Sequence, residues 1–110
     1  MKAIVNINAG ICGFQTKIVT TGDDDQNVEF QIETNCEKIQ SLAKALKEKG
    51  PIDAYQEISP ANESVILTVV RSTLKGCCAG CAVPVGIFKS MQVAAGLALP
   101  KDIGINITTE

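Results

Sequence analysis

The chain first changes period between Glu33 and Ile39, and that switch constrains the fold more than any other feature. Val28-Glu29-Phe30-Gln31-Ile32-Glu33 alternates apolar and polar residues at a spacing of two, the pattern of a half-buried strand. From Thr34-Asn35-Cys36-Glu37 the spacing becomes helical. Thr34 and Glu37 stand in capping-box register, and Ile39, Leu42, Ala43 and Leu46 repeat on one face. Strands gathered before the switch and helices after it give an α+β fold rather than alternating βαβ units.

The same reading extends in both directions. Residues 2 to 8 alternate as a first strand, which stops at Gly10-Ile11-Cys12-Gly13, a turn whose glycines permit positive φ or close backbone approach. A second strand covers about Thr16 to Thr20, and Gly22-Asp23-Asp24-Asp25-Gln26-Asn27 is a hairpin loop. The first helix should stop near Lys49, before Gly50-Pro51. Asp53 to Ile58 is a connector without a clear type, and Ser59-Pro60 resembles an N-cap with proline at N1. Val65-Ile66-Leu67-Thr68-Val69-Val70 suits a buried strand on propensity, but its length, the Ser-Pro start and the Lys75-Gly76 finish favour a second helix. Pro84 starts a third, with Ile87, Met91, Ala94, Ala95 and Ala98 inward, ending at Leu99-Pro100. Ile103, Ile105 and Ile107 alternate with Gly104, Asn106 and Thr108 as a closing strand. The expectation is one small domain over residues 1–110, ordered β-β-β-α-α-α-β, with a mixed four-stranded sheet and helices on one face.

Composition narrows the function classes. With 45% hydrophobic and 20% charged residues, the 110-residue chain can bury a core without disulfides or metal. A net charge of -2 and four aromatic residues give no basic, base-stacking footprint, so nucleic acid is not an expected partner. No apolar run approaches the about 20 residues needed to cross a bilayer, and Met1 to Asn8 lacks the apolar core of a signal peptide. A cytoplasmic protein without membrane contact is expected. There is no histidine, which leaves sulfur, carboxylates and backbone amides for any chemistry.

Five cysteines remain, an odd number that argues against a disulfide framework in a reducing compartment. Cys77, Cys78 and Cys81 fall at the break between the second and third predicted helices. If the first three strands form a meander, the ends of strands one and three share an edge and carry Cys12 and Cys36. A descending first helix and a returning second helix bring Cys77, Cys78 and Cys81 to that edge as well. Cys36 and Cys81 each precede or open a helix, where partial positive charge favours thiolate. Against this stands the ordinary use of free cysteine as a small buried hydrophobe. Cys78-x-x-Cys81 alone is a weak signal, and the second Cys-x-x-Cys of a zinc ribbon is absent. Asp23-Asp24-Asp25 lacks the spaced ligands of an EF-hand, Gly10-x-x-Gly13 is not followed by a helix, and Lys44, Lys47, Glu48 and Lys49 form a solvated face.

Asn8-Ala9-Gly10-Ile11-Cys12-Gly13-Phe14 and Ala94-Ala95-Gly96-Leu97-Ala98-Leu99-Pro100-Lys101-Asp102, with Val83-Pro84 between them, resemble a family of short uncharacterised proteins from anaerobic bacteria and methanogenic archaea. The resemblance spans the whole chain. It implies cysteines in the first turn, at the start of the first helix and before Val-Pro, matched here by Cys12, Cys36 and Cys81. It also implies a proline where this chain has Ala82, and no fixed counterpart for Cys77 or Cys78. It implies no activity.

Two chemical readings follow from the thiols. In the first, Cys12, Cys36 and Cys81 are thiolate ligands of zinc or an iron–sulfur cluster, with Cys78 as the fourth and Cys77 turned elsewhere. In the second, a thiol redox or sulfur-carrier protein, Cys81 attacks and Cys78 or Cys36 resolves. An interaction module with structural cysteines is the third alternative. Whether the protein is an enzyme is left open, as are its protein partner and the formation of a homo-oligomer.

Overall fold

The computed structural model describes all residues from Met1 to Glu110. Strands β1 (Lys2–Asn8), β2 (Gln15–Gly22) and β3 (Asn27–Thr34) form the expected meander, and the two-residue strand β4 (Ile52–Asp53) pairs with the start of β3. Helix α1 (Glu37–Glu48) precedes β4. After it come α2 (Ala54–Glu57), α3 (Val65–Thr73), a 3₁₀ turn (Gly76–Gly80) and α4 (Val83–Ala94).

The α+β class and the four-stranded sheet stand, but the fourth strand is not the expected one. Every pairing in the sheet is antiparallel, so the mixed sheet with a parallel closing strand is corrected. Residues 99 to 110 form neither helix nor strand, and the order is β-β-β-α-β-α-α-α. Alternation made Ile103 to Ile107 competent to be a strand, but it could not supply a pairing partner. The second helix also starts later than Ser59-Pro60 suggests. Ser64 is its N-cap, and its hydroxyl accepts from the Leu67 amide.

The register puts Ala3, Val5 and Ile7 opposite Thr20, Ile18 and Thr16, and Ile18 and Thr20 opposite Ile32 and Phe30. These residues share one face, which is the face the helices cover. Ile39, Leu42 and Leu46 of α1 and Val83, Ile87, Met91 and Ala94 of α4 bury against it, with Ile66, Val69 and Val70 of α3 completing the core. The opposite face, including Lys2, Ile4, Asn6, Lys17, Glu29, Gln31 and Glu33, is exposed.

Two glycines let α4 lie close to β1 and β2. A Cβ on Gly86 would meet the Ile7 side chain, and one on Gly22 would stand 2.6 Å from the Ala94 carbonyl oxygen. Between them a buried hydrogen bond crosses from strand to helix. Ser90 donates to the Ile87 carbonyl at 2.8 Å, which leaves Thr20 to donate to Ser90 Oγ at 2.7 Å. Helix α4 therefore starts beside the end of β1 and finishes beside the end of β2.

The start of α3 is held by Glu57, a buried carboxylate at the end of α2. It accepts from Ser64 Oγ at 2.8 Å, Val65 N at 2.8 Å and Ile66 N at 2.7 Å, satisfying amides that a helix N-terminus leaves unpaired.

Two stability differences follow. Gly22→Ala should cost about 1–3 kcal/mol in urea unfolding, because the added methyl meets backbone. Gly86→Ala should cost less, since the Ile7 side chain can rotate away and alanine favours helix by up to about 1 kcal/mol. Glu57→Ala should lower stability by about 2 kcal/mol through the loss of the α3 cap, measured the same way.

Candidate thiol site

Cys12 lies in the loop joining β1 to β2. The Ala9 amide donates to the Phe14 carbonyl at 3.1 Å and the Gly13 amide to the Gly10 carbonyl at 2.9 Å, with φ of 91° at Gly10 and 75° at Gly13. These left-handed conformations turn the chain tightly and leave Cys12 exposed, between exposed Ile11 and Phe14. Cys36 is the N-cap of α1. The expected capping box does not form: Thr34 Oγ1 instead accepts from the Cys36 amide at 3.1 Å, and no side chain caps the helix. Register puts both residues at one end of the sheet, because Asn8 faces Gln15 and Thr16 faces Thr34.

The remaining thiols reach that end through α4. Its first turn lies against Ile7, near the end of β1, and Cys81 stands just ahead of the N-cap Ala82. Cys78 lies in the 3₁₀ turn, and Cys36, Cys78 and Cys81 are half-buried against the core. Cys77 is exposed. The added elements β4 and α2 do not redirect the chain, since the one is two residues and the other a single turn.

Cys81 records the surroundings of the site. Burial pushes its thiol up from the ordinary value of 9.0; the Val83 amide, 3.5 Å from Sγ, opposes this. Negative charge on Cys12, Cys36 and Cys78 adds to the rise, whereas Cys77 contributes nothing of the kind. One thiolate acts on another over roughly 10 Å at ordinary salt, so the four sulfurs share an electrostatic neighbourhood. They are not already a ligand set: no three cysteine or carboxylate side chains stand close enough to hold an ion. The expectation that the helix start would favour Cys81 thiolate is thus overturned, because desolvation and like charge outweigh the amide.

The sequence reading missed a shallow depression of about 470 Å3 at the same end of the sheet. Asn6, Asn8, Gln15, Lys17, Glu33 and Asn35 contribute to it. They come from three separate strand ends, so only the register brings them together. The Asp23 loop is a solvated turn, as expected. Asp23 Oδ1 accepts from the amides of Asp25 and Asn27, both at 2.9 Å, and the Asn27 amide above all holds its carboxyl below the usual value.

Fold and site define a small α+β protein with a helix-covered antiparallel sheet and four thiols at one end of it. The chain belongs to the family of unknown function DUF6951, whose model matches residues 3–107. Neither the curated proteins nor the solved structures contain a match to it.

A reactivity order follows from the burial. In the metal-free, reduced protein, Cys81 should alkylate with iodoacetamide more slowly than exposed Cys77 at pH 8, because burial shields its sulfur and holds its thiol above the ordinary 9.0, and the Cys81 rate should climb as pH rises past that value. Peptide mass spectrometry against time reads the order directly.

Proposed function

We propose that this protein binds a metal ion or iron–sulfur cluster through Cys12, Cys36, Cys78 and Cys81. The observation that carries the reading is convergence. Residues from the first hairpin loop, the N-cap of α1, the 3₁₀ turn and the approach to α4 arrive at one end of one sheet, though they lie up to about seventy residues apart. Thiolate is the natural ligand for zinc and for iron–sulfur iron, and a histidine-free chain offers no imidazole to replace it.

The electrostatics support the same reading. Several thiolates in one half-buried place repel each other, and a bound cation reverses the sign of that interaction and draws off their protons. Binding would require closure, chiefly by the loop that carries exposed Cys12. Ile11 and Phe14 beside it give a partner protein an apolar place to dock, which suits a site that hands a cluster on. An odd number of cysteines does not suit a disulfide framework, and a reducing compartment such as the cytoplasm is the setting in which the site would keep its thiols. The raised Cys81 thiol weighs against the redox or sulfur-carrier reading, which needs an activated nucleophile there.

Purification and reconstitution under anaerobic conditions, with metal analysis and visible absorption, test the proposal. One zinc ion or one cluster per chain is expected. Cys12→Ser, Cys36→Ser, Cys78→Ser and Cys81→Ser should each weaken binding by about 10-fold or more, whereas Cys77→Ser should leave it nearly intact. A protein that takes up neither zinc nor iron, or that tolerates all five changes equally, would refute it.

A further inference from the structure

After α4 the chain turns through Ala98 and then runs from Leu99 to Glu110 without helix, strand or any backbone hydrogen bond. This arm keeps the alternation of a strand. Ile103, Ile105 and Ile107 are 58%, 67% and 86% exposed. Three alternating isoleucines in one segment are costly to leave in water, and the family model reaches residue 107, the last of them. The arm is therefore part of the family's domain and not a trailing end.

The sheet has a matching vacancy along β1. Met1 and Gly22 exchange both backbone hydrogen bonds, at 3.0 and 2.8 Å, so Ala3, Val5 and Ile7 also point their backbone groups at β2. The amides and carbonyls of Lys2, Ile4, Asn6 and Asn8 are then directed to the open side. This edge is seven residues long, with no proline and a single lysine, and so lacks most of the devices that discourage strand addition. On its inner face Val5 and Ile7 are only half-covered.

We infer that Ile103 to Ile107 of one chain adds as a fifth strand to β1 of a second copy, its isoleucines covering Val5 and Ile7, with the exchange made reciprocally. The arm's own β1 is within reach, because α4 finishes against Gly22 beside Met1, yet the arm stays off it. The molecule measures 45 Å along one axis and 28 Å along the others. An exchanged arm fills both needs at once, pairing the open edge and burying the isoleucines, and a two-fold dimer leaves neither partner with a spare arm.

Sedimentation of the full chain at micromolar concentration, in reductant and chelator, separates this exchange from any association through metal or disulfide. A dimer is expected. Ile105→Asp in the arm and Ile4→Pro on the outward-facing edge should each give a folded monomer by circular dichroism, since proline at that position removes an edge donor and not a bond to β2. Mixing the two variants should restore a heterodimer, because one has an intact edge and the other an intact arm. Monomeric wild-type protein, a dimer that survives both changes, or a mixture that stays monomeric would overturn the inference.

Discussion

The packing of α4 across β1 and β2 is the contact on which the rest of the molecule depends. It needs Gly22 and Gly86 to let backbone and side chain approach, and the Thr20–Ser90 hydrogen bond to satisfy two hydroxyls buried between the layers. Without that bond the Thr20 hydroxyl would carry an uncompensated desolvation cost, whereas Ser90 would keep its bond to the Ile87 carbonyl. With it, α4 has one position along the strands, and Cys81, next to the N-cap Ala82, is placed beside the end of β1.

The thiol site follows from this placement together with the meander. A hairpin loop, a strand end and a helix start at the same end of a sheet are brought together by antiparallel geometry alone, and α4 adds Cys78 and Cys81. What the fold provides is proximity with partial burial. Burial, with like charge on the neighbouring cysteines, raises the Cys81 thiol and makes it a poor nucleophile in the metal-free protein.

The exposed arm is the counterpart of the covered face. Helices bury one side of the sheet and end near Ala94, leaving the β1 edge unpaired and a strand-like segment unemployed. In the dimer we infer, the open edge and the three alternating isoleucines of one chain meet those of a second copy. The thiol site lies at the end of the sheet and the open edge along its side, so one surface can serve association without occupying the other.

Local pattern was legible where neighbours in sequence are also neighbours in the fold. Period-two alternation fixed β1 to β3, the helical face of Ile39, Leu42 and Leu46 fixed α1, and Pro84 marked the first turn of α4. The parity of those elements also indicated one edge for the cysteines. Tertiary structure decided the rest, because pairing is a property of two segments and cannot be read from one. Ile52–Asp53, too short to signal itself, found β3, while Ile103 to Ile107, with the stronger strand pattern, found no partner within the chain. It also decided that Glu57, in a connector without periodicity, would cap α3, and that burial would outweigh the helix start at Cys81. Both outcomes depend on how much water the folded chain removes from a charged group, and the order of residues does not contain that quantity.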